Sequence, residues 1–306
     1  MSDKQTVRVG RRTVEVSNPD KVLYPDDGIT KGDLVDYYRR VARSMLPHLR
    51  GRPVAMERYP DGIDGQRIFQ KDVPGHFPDW VDRVKVEKEH GQLHQVVCED
   101  GATLVYLANQ ACITPHVWLS RADRPDHPDQ LIFDLDPAGD DFEQARVAAL
   151  WLRSLLEELE LASFAKTTGG KGIHVTVPLD RRTDFEDVRG FARDVAEELA
   201  RRQPDRLTTE QRKDRRKGRL YVDVMRNAYA QTAVPPYAVR ARPGATVAAP
   251  LDWSEVEDRS LRPSRFTIGS ILDRLEQADD PWKDLRRRRR SLSQAHKRLN
   301  ALIDEG

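Results

Sequence analysis

Cysteine is almost absent from this chain of 306 residues, which contains only Cys98 and Cys112. Two cysteines rule out a disulfide framework, and neither a Cys-x-x-Cys pair nor a His-rich segment indicates a zinc site. No apolar run approaches the roughly 20 residues that a membrane-spanning helix needs, and the first residues lack the apolar core of a signal peptide. The sequence therefore predicts a soluble intracellular protein, with no membrane partner.

An excess of charge of one sign is also missing, since 51 Lys and Arg residues balance 50 Asp and Glu residues, for a net charge of +1. Bulk charge therefore does not indicate a polyanionic partner, and only local clusters can do so. The sequence has no internal repeat and no long Gly/Ser-rich or Pro-rich linker. We therefore expect a single domain over residues 1–306.

Alternating apolar and polar residues predict a chain rich in strands that begins with a hairpin. The segment TVRVGRRTVEV alternates on both sides of Gly10 and Arg11, which is typical of two strands joined by a tight turn. Further strands are predicted for four segments bounded by turn residues: RPVAMERY, RIFQKDV, HQVVCED and ATLVYLA.

Helices are predicted where apolar residues recur every three or four positions. The sequence TKGD at residues 30–33 predicts a capping box that opens one helix. Two longer helices are predicted over residues 142–161 and 183–202, the second with the capping box TDFE. Because strands and helices interleave without a regular rhythm, we predict an α+β fold, with mixed or antiparallel central sheets flanked by helices.

Three of the predicted strands, LIFDLDP, GIHVTVPL and RLYVDVMRN, carry polar residues opposite a clean apolar face. If the strands are neighbours, Asp134, Asp136, His174 and Asp223 converge on one surface. Carboxylates without thiol ligands suit Mg²⁺ or Mn²⁺, and two such ions about 4 Å apart support in-line displacement at phosphorus. A lone Asp-x-Asp is more often an ordinary strand end, so the prediction depends on the combination. Without metal, at least one of Asp134 and Asp136 is expected to titrate above the usual aspartate value.

The segment TTGGKGIH lies directly before the second of these strands. It is not a Walker A motif, because Lys171 is followed by Gly172 and the segment leads into a strand rather than a helix. Its glycines would let backbone N–H groups approach a phosphate, with Thr168, Lys171 and His174 as side-chain donors. The alternative is a tight hairpin turn without a ligand.

Taken in order, the three segments resemble the motifs of the archaeo-eukaryotic primase superfamily, and most closely those of the polymerase domain of bacterial DNA ligase D. The resemblance extends to NPDKVLYPDDGITKGDLVDYY, HVWLSRADRPDHPDQ and PPYAVRARPGATVAAPLDW, and covers about residues 15–282. It implies a primase-like catalytic core over about residues 100–282, preceded by a DNA-end-binding part over about residues 1–99.

The resemblance implies a template-dependent DNA/RNA polymerase that uses two Mn²⁺ or Mg²⁺ ions. It would extend a primer 3′-hydroxyl with NTPs or dNTPs at gapped, recessed or broken DNA ends that carry a 5′-phosphate. The implied metal ligands and catalytic residues are Asp134, Asp136 and Asp223. The implied nucleotide-binding residues are His116, Thr168, Lys171, His174, Arg226, Arg240 and Arg242. The implied 5′-phosphate pocket consists of Asn18, Lys21 and Lys31, and Phe69 is the implied platform for template stacking.

The sequence departs from the family pattern at two places. Thr168 stands where the family more often has serine, and Ile68 precedes Phe69 where the family commonly has two adjacent aromatic residues. Loss of one ring weakens template stacking by about 1–3 kcal/mol, unless Ile68 faces the core. The arginine run at residues 286–290 is either a solvated helix face or a non-specific DNA contact.

Two biological settings and two other functions remain open at this point. The resemblance implies a cytoplasmic, nucleoid-associated protein, acting with Ku and a DNA ligase in end joining or alone in gap-filling repair. A primase that starts chains without a primer is one alternative function. A non-catalytic module that bridges DNA ends is the other, and it predicts 5′-phosphate-dependent binding without incorporation.

Overall fold

Seven α-helices and eighteen β-strands form within residues 4–88 and 91–304, which are the residues that the computed structural model describes. The helices are α1 (Lys31–Leu49), α2 (Gly101–Asn109), α3 (Phe142–Glu158), α4 (Phe185–Arg202), α5 (Trp253–Glu257), α6 (Ser270–Gln277) and α7 (Leu292–Asp304). The strands are β1 (Lys4–Val9), β2 (Arg12–Ser17), β3 (Val22–Tyr24), β4 (Ile29–Thr30), β5 (Pro53–Arg58), β6 (Ile68–Gln70), β7 (Arg83–Lys88), β8 (Gly91–Val97), β9 (Cys112–Trp118), β10 (Ser120–Arg121), β11 (Arg124–Pro128), β12 (Gln130–Asp136), β13 (Phe164–Thr167), β14 (Ile173–Pro178), β15 (Leu207–Thr208), β16 (Leu220–Asp223), β17 (Thr232–Ala233) and β18 (Pro250–Leu251).

The chain divides into two compact units, each assembled from three segments. The first unit comprises the described residues up to Asp123 together with Thr232–Ala248 and Ser264–Ala278. The second comprises Arg124–Gln231, Ala249–Pro263 and the described residues from Asp279 onward.

The first unit is built on a sheet with the strand order β17-β9-β5-β8-β7, in which β6 also pairs with β5. Helices α1 and α2 pack against each other. The buried Tyr38 of α1 donates a hydrogen bond from its hydroxyl to the carbonyl of Ile113 in β9, at 2.5 Å. Since a buried hydroxyl without a partner is costly, this bond fixes α1 on the sheet.

The second unit is built on a six-stranded sheet with the order β15-β16-β12-β14-β13-β18. All described ladders in it are antiparallel except the one between β15 and β16. The apolar residues that alternate along β12, β14 and β16 are buried, and α3 and α4 pack against the sheet. The polar residues of the same strands consequently lie on the opposite face.

Most of the predicted elements are confirmed, including the α+β class with antiparallel sheets. The hairpin β1–β2 turns at Gly10, and α1 begins with the capping box between Thr30 and Asp33. Helix α3 ends at Glu158, three residues before the predicted end. Helix α4 begins two residues late, because the side chain of Asp184 caps it by accepting from the Asp187 N–H.

The prediction of a strand for ATLVYLA was wrong, because these residues form most of α2. Most residues of this segment are buried. It therefore lacks the apolar–polar alternation that identifies a half-buried strand, and a short apolar run of this kind fits a buried helix equally well. The decisive signal precedes it: the side chain of Asp100 accepts hydrogen bonds from the backbone N–H and the hydroxyl of Thr103. This is the geometry of a helix amino-terminal cap.

The arginine run at residues 286–290 does not form the helix face that was considered. Its first residues belong to a short 3₁₀ turn over Leu285–Arg288, and the regular helix α7 starts only at Leu292. Within the run, Arg289 lies 3.7 Å from the buried carboxylate of Asp129.

None of the helices in the described residues combines the length and the apolar composition that crossing a bilayer requires.

Candidate active site and DNA-end pocket

Asp134 lies in a row of polar residues that crosses four strands of the second unit. In the antiparallel ladders, Asp134 of β12 is opposite Asp223 of β16 on one side and His174 of β14 on the other. His174 is in turn opposite Lys166 of β13. Because directly paired residues point to the same face of a sheet, the four side chains share one face. We call these four residues the polar row.

The Asp134 carboxylate is buried, with 4% of the residue exposed. The His174 Nε2 atom lies 3.4 Å from Oδ1, and the Arg226 Nε atom lies 3.4 Å from Oδ2. Both distances are longer than most N–H···O hydrogen bonds, and Oδ1 has no hydrogen-bond partner among the described residues. A buried carboxylate oxygen without a hydrogen bond is costly, which makes this atom a strong site for a cation.

The charges along the polar row are set by burial and by neighbouring cations. Burial raises the pKa of Asp134, but His174 and Arg226 outweigh it and hold the pKa well below the usual range. Burial and then the charge of Lys166 lower the pKa of His174 to about 4, so that the imidazole is neutral at pH 7. Burial raises the pKa of Asp223, and the charge of Asp134 adds to the rise. Of the two aspartates for which a raised pKa was predicted, Asp134 shows the opposite shift. The carboxylate with the raised pKa beside it is Asp223.

Asp136 completes the set of carboxylates predicted to hold metal ions. It lies at the exposed end of β12, two residues beyond Asp134 and therefore on the same face. As the side chains stand, no group of three or more His, Cys, Asp or Glu residues in the described part of the chain could hold a metal ion. The donor chemistry nevertheless fits a hard divalent cation, since Asp134 and Asp223 are direct cross-strand neighbours and one buried Asp134 oxygen has no hydrogen bond. An ion held by Asp134 would compete with Arg226 for this carboxylate.

The glycine turn between β13 and β14 is organised by the Thr168 hydroxyl. Its Oγ1 atom accepts hydrogen bonds from the N–H groups of Gly170 and Gly172, at 3.2 and 3.3 Å. The two N–H groups that were expected to approach a phosphate are therefore directed at Thr168 in this conformation. Lys171 projects from the turn with its side chain half exposed, and its Nζ lies 2.5 Å from the Asp140 carboxylate.

In the first unit, a second cluster of charged and aromatic side chains surrounds Glu57. The buried carboxylate lies 2.8 Å from His116 Nε2 and 2.7 Å from Arg67 Nε, and it accepts a hydrogen bond from the Tyr59 hydroxyl at 3.3 Å. The Phe69 ring meets the His116 ring edge-on, with 5.3 Å between the centroids. Two residues predicted to contact nucleotide and template, His116 and Phe69, thus lie together beside a carboxylate that the sequence analysis did not single out.

Replacing Glu57 by glutamine is expected to destabilise the protein in a pH-dependent manner. Burial raises the Glu57 pKa, but the hydrogen bond from His116 and the charge of Arg240 help to lower it from 4.5 to about 2. A carboxylate whose pKa falls on folding stabilises the protein above its unfolded pKa, and this contribution is lost as the pH drops through the folded value. At pH 7 the variant should therefore lose up to about 3 kcal/mol of unfolding free energy.

Urea unfolding of wild type and Glu57→Gln at a series of pH values measures this effect. The difference between the two proteins should be constant at neutral pH and should narrow as the pH falls from 4.5 towards about 2. Glu87→Gln is a matched control, because Glu87 is exposed and lies 3.8 Å from Lys85 in a surface ion pair. A difference for Glu57→Gln that does not change with pH would show that this carboxylate is not stabilised by its neighbours.

Asn18, Lys21 and Lys31 lie close together at the start of α1 in the first unit. The Lys21 N–H donates to the Asn18 carbonyl at 3.2 Å, and the Lys31 N–H donates to the Lys21 carbonyl at 2.8 Å. The Lys31 ammonium donates to Ser17 Oγ at 3.2 Å, and that of Lys21 lies 2.8 Å from the Asp61 carboxylate. Burial and the charge of Lys21 lower the Lys31 pKa. Two cations that repel each other at a helix amino terminus favour an anion between them.

Of the remaining predicted residues in the first unit, Arg240 is half-buried, whereas Arg242 and Phe69 are exposed. The Arg242 side chain is exposed, while its N–H donates to the Arg240 carbonyl at 2.8 Å. Phe69 is 39% exposed and is therefore accessible for stacking. Ile68 is 36% exposed, so the alternative that it faces the core is wrong.

Lys166 is the charged residue of the polar row that the sequence analysis missed. It is 1% exposed, although lysine is rarely buried to this degree. The segment FAKT has two apolar residues followed by two polar ones, so no apolar–polar alternation marks it as a strand. Only the pairing of β13 with β14 brings Lys166 beside His174.

A sequence profile described as "LigD, primase-polymerase domain" matches residues 30–282 of the chain. The chain is 35% identical over 270 residues to the "Multifunctional non-homologous end joining protein LigD" of Mycolicibacterium smegmatis, covering 87% of this chain and 35% of that protein. It is 34% identical over 276 residues to the "Bifunctional non-homologous end joining protein LigD" of Bacillus subtilis, covering 90% of this chain and 44% of that protein. The chain thus spans less than half the length of these relatives.

The fold is similar to a solved structure described as "Polymerase Domain from Mycobacterium tuberculosis Ligase D in complex with DNA". The two share 33% sequence identity and superimpose with a TM-score of 0.85. The match covers 92% of this chain and 100% of that chain. The profile match over residues 30–282 includes the four strands of the polar row.

Proposed function

The chain belongs to the LigD primase-polymerase domain family of DNA-directed nucleotidyltransferases, and from this premise we propose the reaction that it catalyses. It extends the 3′-hydroxyl of a primer on a DNA template, with NTPs or dNTPs as substrates, at gaps or ends that carry a 5′-phosphate. The observation that carries this proposal is the direct cross-strand pairing of Asp134 with Asp223, with Asp136 on the same face.

We propose Asp134, Asp136 and Asp223 as the ligands of two divalent cations, Mg²⁺ or Mn²⁺. When bound, such ions acidify the attacking hydroxyl and stabilise negative charge on the phosphate oxygens. The three carboxylates supply the hard oxygen ligands that these ions prefer. Because its pKa is held low, Asp134 accepts a cation without first losing a proton.

The proposed triphosphate contacts in the second unit are His174, Arg226, Thr168 and Lys171. The neutral His174 ring can donate one hydrogen bond, and its buried Nδ1 has no hydrogen-bond partner among the described residues. Arg226 contacts Asp134 only at 3.4 Å, and its planar guanidinium suits a phosphate better than one distant carboxylate oxygen. The assignment of His116, Arg240 and Arg242 to the nucleotide, and of Phe69 to the template, rests on the resemblance.

Replacing Lys31 by methionine is expected to reduce the preference for a 5′-phosphorylated gap by about tenfold to a hundredfold. The variant keeps the length of the buried side chain but removes one of two ammonium groups at the proposed 5′-phosphate pocket. Dissociation constants for gapped duplexes with and without the 5′-phosphate measure the preference. Lys85→Met is the control, because Lys85 lies on β7 beside Glu87. An unchanged preference in Lys31→Met would exclude this pocket.

Extension of a labelled primer across a short gap tests the proposed reaction. Comparing NTPs with dNTPs and Mn²⁺ with Mg²⁺ defines the substrate and the ion. A single-stranded template without a primer distinguishes primer extension from the initiation of new chains. Absence of incorporation on every template, together with tight binding to 5′-phosphorylated ends, would instead identify a module that bridges ends.

We place the activity in bacterial non-homologous end joining, in the cytoplasm and at the nucleoid. The relatives whose names contain this term are longer than this chain. A DNA ligase and Ku are the partners that we propose from the resemblance. Gap filling in excision repair is the other setting for the same reaction. The assignment of residues 1–99 to DNA-end binding and of about residues 100–282 to catalysis stays a prediction.

A further inference from the structure

Next to β16 in the second unit, two strong hydrogen-bond donors converge on a weak acceptor. The Arg189 guanidinium donates to Met225 Sδ at 3.2 Å, and the Gln211 side-chain amide donates to the same sulfur at 3.6 Å. A thioether accepts hydrogen bonds poorly, whereas guanidinium and amide groups bind phosphate oxygens well. The two donors are thus arranged around a position that an anionic oxygen would fill better than sulfur does.

These groups line a cavity of about 130 Å³, which we call the β16 cavity. It is lined in part by Arg189, Arg193 and Glu197 of α4, by Gln211 and by Met225. The Nε atom of Arg189 is buried and has no hydrogen-bond partner among the described residues. The two arginines outnumber the one glutamate, so the cavity carries a net positive charge.

The position of the cavity relative to the carboxylates indicates which ligand it takes. Met225 follows Asp223 by two residues, and its backbone N–H donates to the Asp223 carboxylate at 2.7 Å. The glycine turn leads into β14 on one side of β12, while β16 lies on the other side. In an in-line displacement the attacking and leaving oxygens lie on opposite sides of the phosphorus. If the leaving pyrophosphate is held at the glycine turn, the attacking hydroxyl approaches from β16.

We propose that the β16 cavity binds a backbone phosphate of the primer strand, close to its 3′-hydroxyl, through Arg189 and Arg193. The inference rests on the proposed function and adds the direction from which the primer reaches the carboxylates. The shared chemistry is a phosphate oxygen, so the triphosphate of the incoming nucleotide is the competing source.

Binding of a primer–template duplex by the double variant Arg189→Gln/Arg193→Gln tests the proposal. Its affinity should fall by about tenfold or more, since each phosphate contact is a charge-assisted hydrogen bond. The slope of log K against log salt concentration should decrease by about 1, because roughly 0.9 counterions are released per phosphate contact. Arg201→Gln is the matched control, because Arg201 lies on the same helix but pairs with Glu198.

Two further arms distinguish the sources of the phosphate. A template with only a downstream 5′-phosphorylated strand should bind equally to wild type and double variant, and the KM for the nucleotide should not change. Wild-type affinity and slope in the variant would overturn the proposal. So would an equal loss on DNA without the primer strand, or a raised KM with unchanged DNA binding. Because binding is measured without nucleotide, a wild type that binds the primer but never extends it would refute only the proposed function.

Discussion

Replacing Asp136 by alanine is expected to lower the rate of primer extension by at least about 10³-fold, equivalent to about 4 kcal/mol of transition-state stabilisation. The carboxylate is a proposed ligand of the ions that stabilise charge only as the phosphate is attacked. Asp136 lies at the exposed end of β12, so its truncation leaves no cavity in the core. Binding of a 5′-phosphorylated gap should change little, because the proposed pocket for that phosphate lies in the first unit.

Single-turnover extension and gap binding, measured on the same preparation, check this prediction. Asp126→Ala is the matched control, because Asp126 is an exposed aspartate in β11 of the same unit. It should extend primers at the wild-type rate. Extension by Asp136→Ala within tenfold of wild type would exclude this carboxylate as a metal ligand. Loss of extension and gap binding together would indicate a folding defect instead.

Replacing Gly172 by alanine is expected to have the second-largest effect. A β-carbon at this position would overlap the Asp136 carboxylate and lie 2.5 Å from the Leu135 carbonyl oxygen. The carboxylate can rotate away, but a backbone oxygen cannot, so β14 has to shift relative to β12. We expect a loss of about 1–3 kcal/mol of stability, and a loss of extension of about a hundredfold, since small displacements of reacting groups are costly.

Thermal unfolding and extension assays of Gly172→Ala measure the two effects separately. Gly75→Ala is the control, because a β-carbon at Gly75 has no neighbour within 4 Å and the glycine does not need a left-handed conformation. It should match the wild type in both assays. If Gly172→Ala were as active and as stable as wild type, the close contact between the glycine turn and the end of β12 would play no part in catalysis.

The strands of the proposed site could be predicted from the sequence because strand side chains alternate strictly. In LIFDLDP the apolar phase fixes the face of Asp134, and the same argument fixes the faces of His174 and Asp223. The register then places all three side by side, which the alternation allowed but did not determine. The capping box at Thr30 similarly located the start of α1, and with it Lys31.

The features that could not be predicted depend on which segments become neighbours. The low pKa of Asp134 depends in part on Arg226, which a separate segment brings to it. Glu57 lies beside His116 only because β5 pairs with β9, the strand that contains His116. Local patterns fix the face of a side chain, but the charge state of a buried group is set by residues that are distant in sequence.

The most direct test is the identity of the nucleotide added to a primer at a one-nucleotide, 5′-phosphorylated gap, with each of the four template bases in turn. We predict that the wild type adds the complementary nucleotide and requires a divalent cation. Under the same conditions Asp136→Ala should add none, although it binds the same DNA. Incorporation that ignores the template base, persists in a metal chelator or survives in Asp136→Ala would contradict a templated, metal-dependent reaction at these carboxylates.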